Sequence, residues 1–327
     1  IHPETNDLVL GTHGRGVIVV DDISPMRELS GAIANSSVYI FPNKPVPVTM
    51  GKYGSGGFPD NGGWRSGNPT YTYTQPIQYY LKERVSTGDV KLEVYDHSGK
   101  LIQSIPGSRR KGINKVYWNL RYTPPKVAKG GTKPDYSGFI APQVLPGDYT
   151  VKIKIAGKEY SSDLKLIHDA ENRGFTEEDR RVQHNLAMQL YHLHEELYAL
   201  VEKINAEQRM LKENETVVKT NKSKKLLTEY NTRLEALRST LLATKSKSIF
   251  ADEEKLREHI SDLYSPVCSQ EARPTNLQMA RADQLQEDVK KSEKMYEEIA
   301  AKYSAQVQAA IESEKKLGNS SGTRSSN

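Results

Sequence analysis

The hydrophobic period of this chain changes once, near residue 170, and that change limits the fold more than any other feature. Before it, short runs alternate apolar and polar residues, as in VKLEVYD (90–96) and YTVKIKI (149–155). Strict alternation puts one side chain in two on the same face, which is the signature of a half-buried strand. After it, leucines recur at spacings of three and four, as in Leu186, Leu190, Leu193, Leu197 and Leu200. That spacing lines one face of a helix. The chain therefore reads as a multidomain β-then-α protein, with nearly all of its turn-forming Gly and Pro in the β half.

Strands are expected at 77–83, 90–96, 100–106, 113–122, 145–157 and 158–169, with turn signals between them. Short antiparallel strands at this spacing predict a small β-sandwich over 76–169. Residues 43–75, rich in Gly and Pro, read as a linker with little to pack. Helices are expected from Thr176 as an N-cap, over 222–244 and 252–263, and after Pro274, with Gly318 as a stop. Their one-sided stripes must be buried against each other, so 170–317 predicts an antiparallel helical bundle. Residues 318–327 read as a disordered tail.

One short stretch stands apart from this scheme. DLVLGTHGRGVIVVDDI (7–23) is two runs of β-formers around a Gly-rich turn, the first starting only six residues into the sequence. A lone hairpin is marginal in water, so this one should belong to a larger sheet.

Composition removes several classes. Net charge is only +5, from 46 basic and 41 acidic residues. The charges alternate along helices instead of forming a basic stripe, so no nucleic acid partner is expected. No apolar run approaches the ~20 residues of a membrane span. A single cysteine, Cys268, excludes an internal disulfide and a Cys-based zinc cage. No charged and then apolar leader is visible at Ile1.

Candidate sites are few. His13 and Arg15 sit in the THGRG turn, where Gly14 and Gly16 would supply positive φ; the two side chains either face a ligand or bond to neighbouring loops. Trp64, beside Arg65 in the linker, could meet a sugar ring or a partner. Asp21 and Asp22 are adjacent, so as strand residues they would point to opposite faces, and capping the SPMREL turn suits them better than catalysis. His192 and Glu196 share a helix face at i,i+4, with His194 pointing elsewhere. No Glu-x-x-His pair accompanies them, and a solvated face is expected, with no metal and no cofactor. Trp118 and Tyr149 read as structural core residues. Cys268 has no partner motif for a nucleophile.

Three stretches carry a resemblance. IHPETNDLVLGTHGRGVIVVDDISPMREL (1–29) resembles the closing blade of secreted bacterial β-propeller proteins with BNR-type or sortilin-type repeats, many of them labelled glycosyl hydrolases. GNPTYTYTQPIQYYL is similar to their linker. VKLEVYDHSGKLIQSIPG, GINKVYWNLRY and LPGDYTVKI are similar to the Ig-like fold of the flagellar hook-capping protein. RPTNLQMARADQLQEDVKK is similar to the last helix of their helical tail. The resemblance implies a final blade at 1–42, an Ig-like domain and a helical tail. It also implies upstream blades as the first partner, a protein, peptide or glycan ligand, and an extracytoplasmic (periplasmic or secreted) location. No SxDxGxTW motif is present in these residues. The expected role is a non-catalytic scaffold and interaction region, whose helices could also pair between chains. The alternative is the accessory region of a propeller glycoside hydrolase with its catalytic groups upstream.

Overall fold

The computed structural model describes residues 1–322 except Glu4, Arg15, residues 50–73, residues 131–135, Ala156, Glu171, Arg173 and residues 244–253. The chain forms two units, one of residues 1–123 and 143–177, the other of residues 124–142 and 178 onward.

The first unit is built from β-strands. β1 (Leu8–Thr12) and β2 (Gly16–Val20) pair antiparallel as a two-stranded sheet. Two short helices follow, α1 (Ser24–Glu28) and α2 (Gly31–Asn35). The remaining strands are β3 (Val38–Ile40), β4 (Val46–Val48), β5 (Gln75–Leu81), β6 (Lys91–Asp96), β7 (Leu101–Pro106), β8 (Gly112–Trp118), β9 (Gly147–Ile155) and β10 (Lys158–His168). They form a three-stranded sheet in the order β3-β5-β8 and a five-stranded sheet in the order β4-β10-β9-β6-β7. Inward residues of both sheets share one core: Ile77, Tyr79 and Leu81 from the first, and Leu92, Val94, Val151, Ile153 and Leu164 from the second. Burying each of these side chains stabilises the unit by roughly 1.5–3 kcal/mol. Trp118 and Tyr149 lie in the same core, 5.4 Å apart edge to face. Each polar tip is satisfied locally. Trp118 Nε1 donates to the Arg121 carbonyl at 3.1 Å, and the Tyr149 hydroxyl donates to the Leu145 carbonyl at 2.7 Å.

Two short segments sit differently from their expected places. Val38–Ile40, read with the opening hairpin, pairs with β5. Val46–Val48, read as linker, pairs parallel with the end of β10 through Leu166, Ile167 and His168. It is an edge strand, which is why Pro47 is tolerated there. Most of the expected linker, Trp64 included, lies outside the described residues.

The second unit contains α3 (Glu177–Glu213), α4 (Asn221–Leu241), α5 (Leu256–Ser269) and α6 (Asn276–Gly322). Their apolar stripes meet in one core that includes Leu190, Leu197, Ile204, Leu234, Ile260, Leu285 and Val307. Side-chain pairs give the directions. Gln208 of α3 meets Asn231 and Glu235 of α4, while Asn205 meets Arg238, so these two run antiparallel. Gln189 of α3 meets Asp283 and Gln286 of α6, and Glu207 meets Ser304, so these two run parallel. α5 runs antiparallel to α3, since Arg180 meets Glu271 and His194 stacks edge to face on Tyr264.

Several boundaries are corrected. α5 starts at Leu256, after the capping residue Lys255, and continues through Pro266, beyond the expected end at 263. Proline removes a helix hydrogen bond, but the turn around it buries Val267 and Cys268. α6 does not stop at Gly318, and residues 318–322 are helical instead of tail; residues 323–327 lie outside the described part. The Pro/Gly-rich loop 124–142, expected within the sandwich, belongs to the helical unit. Arg257 donates to the Ala128 carbonyl at 3.1 Å and Tyr264 to the Ile140 carbonyl at 3.0 Å. A Cβ at Gly130 would lie 2.6 Å from the Arg257 guanidinium, so a side chain there would have to displace the end of that arginine. The buried Arg257 is neutralised by the equally buried Glu258.

Candidate interaction surface

The ladder of β1 and β2 pairs Val9 with Val19 and Leu10 with Ile18. Opposite residues in an antiparallel pair share a face, and successive residues alternate faces. Val9, Val17 and Val19 therefore line one face, at 53%, 68% and 53% exposure, and Leu10 and Ile18 the other, at 41% and 49%. Both faces of the ribbon are apolar and open. Neither strand contains Lys, Pro or a carboxylate to guard its edge. At the tip, Gly14 and Gly16 take φ of +82° and +90°, conformations that side chains rarely adopt. His13 is exposed beside them, and Arg15 lies outside the described residues.

The base of the ribbon is polar and closely bonded. Asn6 before β1 and Asp22 after β2 both adopt left-handed backbone, with φ of 60° and 46°. The Ile23 N–H donates to the Asn6 carbonyl at 3.0 Å. The Asp22 N–H donates to Asp7 Oδ1 at 2.9 Å. Asp22 Oδ1 accepts from Ser24 N–H at 3.2 Å, Ser24 Oγ at 2.6 Å and Lys44 Nζ at 3.1 Å. Asp22 Oδ2 accepts from Gln78 Nε2 of β5 at 3.1 Å. Lys115 of β8 donates to the Asp21 carbonyl at 2.8 Å. Desolvation pushes the Asp22 carboxyl upward, but the Ser24 and Lys44 hydrogen bonds outweigh it and hold the group below its ordinary 3.8. Asp7 is held low in the same way, desolvation being outweighed by bonds from Asp22 N–H and Thr5.

Asp22 is thus a structural acceptor joining four segments, a role wider than the local cap read from sequence. Its partners Asp7, Lys44 and Gln78, and the adjoining Asn6 and Lys115, were not singled out. One signal was available: Asn6 and Asp22 each stand eight residues from Gly14, on either side of the turn. Asn and Asp are the non-glycine types that tolerate left-handed backbone best.

The helical candidates are not brought together. His192 is exposed and lies 3.8 Å from Glu195. Burial, and then repulsion from Glu293, raises the Glu196 carboxyl above its ordinary 4.5. His194, read as pointing away from the His192 and Glu196 face, is buried against Tyr264. Cys268 is also buried. Among the described residues, no group of three or more His, Cys, Asp or Glu side chains could hold a metal ion. Among them too, no helix is long and apolar enough to cross a membrane.

No family model matches this chain, and no curated protein matches it. Among solved structures, dimeric latent PorU from Porphyromonas gingivalis aligns with a TM-score of 0.24 at 12% identity, over 47% of this chain and 11% of that chain. A score of that size defines no shared fold.

Proposed function

We propose that this chain is a non-catalytic scaffold and interaction region of an exported β-propeller protein. In this reading the β1–β2 ribbon completes a blade whose other strands lie upstream. The two sheets of the first unit form an Ig-like sandwich, and the helices form an antiparallel bundle. The upstream blades bind the protein, peptide or glycan ligand. The observation that carries the reading is the ribbon itself. Strands buried on one face alternate, whereas strands buried on both faces read as continuous apolar runs. LVLGT and GVIVV are of the second kind, yet both of their faces are exposed. Apolar β-strands stacked on each side would cover them.

Photo-crosslinking tests this in the native protein from its source. A benzophenone residue replaces Val17, and the adducts are mapped by mass spectrometry. Adducts to β-strands upstream of Ile1 in the same chain are the expected result. Reaction with solvent alone, or a native chain with nothing before Ile1, sinks the reading.

A further inference from the structure

We infer that Asn6 and Asp22 form a latched elbow that holds the β1–β2 ribbon in one fixed pose, so that it meets its partner sheet as a rigid tongue instead of a flexible arm. The inference rests on the interaction reading above and adds to it the residues that position the surface.

Strain is the first observation. Left-handed backbone costs an L-residue roughly 1–2 kcal/mol. Here Asn6 and Asp22, of the non-glycine types that tolerate it best, both adopt it just beyond the Leu8↔Val20 end of the ladder. Strain of this kind persists only where surrounding contacts over-determine it. Those contacts are the second observation. The Asn6 amide donates to Ser24 Oγ at 3.1 Å and its Oδ1 accepts from Arg27 at 2.6 Å. The Asp22 carboxylate is held from α1, from Lys44 and from Gln78, which lies 56 residues away on β5. Gln78 is itself buried, so the latch reaches the sheet and not merely a loop. Lys115, the register partner of Gln78 on β8, adds a bond to the Asp21 carbonyl. A flexible arm would need none of these. A tongue that must enter a stack of sheets gains affinity if its pose is set beforehand, because less freedom is lost on docking.

The test needs no partner, so its failure and the failure of the interaction reading are distinguishable. A fluorophore is placed on Val17→Cys in a Cys268→Ser background, and time-resolved anisotropy separates nanosecond local motion from overall tumbling. The latched protein should show the dye moving largely with the body. Asp22→Ala, which removes both the carboxylate and the tolerance for left-handed backbone, should roughly double the amplitude of local motion. Asp22→Gly keeps the backbone but drops the latch, and should release the ribbon too. Asp22→Asn keeps the backbone and an acceptor for Ser24 but loses the charge facing Lys44 and the second acceptor used by Gln78, and should fall between the parent and Asp22→Ala. Unchanged anisotropy in Asp22→Ala and Asp22→Gly, with a cooperative melt showing the body folded, overturns the inference. If those variants do not fold, Lys44→Ala combined with Lys115→Ala is read by the same criterion.

Discussion

The molecule contains two β-ribbons of similar chemistry and opposite fate. β9–β10 and β1–β2 are both antiparallel, both joined by glycine-containing turns and both rich in β-branched residues. In β9, Tyr149, Val151, Ile153 and Ile155 turn inward, while Lys152 and Lys154 face out and pair with Glu159 and Glu93. In β1–β2 no polar residue occupies an outward position between Leu8 and Leu10 or between Val17 and Val20, and both faces stay exposed. Alternation is the mark of a strand whose burial is finished within its own unit. Its absence marks a strand whose second face needs a neighbour.

The largest test of that contrast is truncation at matched positions. Ile153→Ala, in the closed core, should cost about 2–5 kcal/mol, read from urea unfolding. Val19→Ala, in the open ribbon, should cost no more than about 0.5 kcal/mol in the same assay. Equal losses would mean that the ribbon is buried in solution.

Acid should separate the ribbons next. The Asp7 and Asp22 carboxyls are held below 3.8 in the folded protein, so the latch contributes fully above that value. Its contribution is lost as pH falls through the lowered values, because both states then bind the proton. On β6, Glu93 is held below 4.5 by Lys154 first and Tyr95 second, and follows the same sign. Anisotropy of the Val17 label should therefore be flat from neutral pH down to about 4 and fall below it. In Asp22→Asn the fall should be smaller. A fall centred near neutral pH would point to another group.

The smallest expected effect is on the ribbon surface. Val17→Lys with Val19→Lys should leave the melting temperature almost unchanged, since both side chains are exposed. Binding of an apolar dye and concentration-dependent association, followed by light scattering, should both drop. Persistent association would move the sticky surface elsewhere on the molecule.

Much of the local structure was legible because it rests on short-range periodicity. YTVKIKI alternates, and its strand buries every second residue. Leu186 to Ile204 repeats at three and four, and those residues line the helical core. Long-range partners were not legible. Nothing near Val46 announces a parallel pairing with Leu166, and nothing in the loop around Gly130 announces a guanidinium against its backbone. His194 stands four residues after Leu190 and three before Leu197, on the apolar stripe itself, but that Tyr264 of α5 would cover it was not legible. Gly318 has the form of a helix stop, but α6 continues through it.

The sequence by itself determined the division into a β half and an α half, because hydrophobic period is a property of consecutive residues and needs no partner. It also determined that the opening ribbon is apolar on both faces. Only the tertiary structure decided that this ribbon stands uncovered within the unit, and that Asp22 joins it to Lys44 and Gln78. Both depend on which distant segments meet, and that is settled by packing across the whole unit, where a single carboxylate can be saturated by donors from several elements at once.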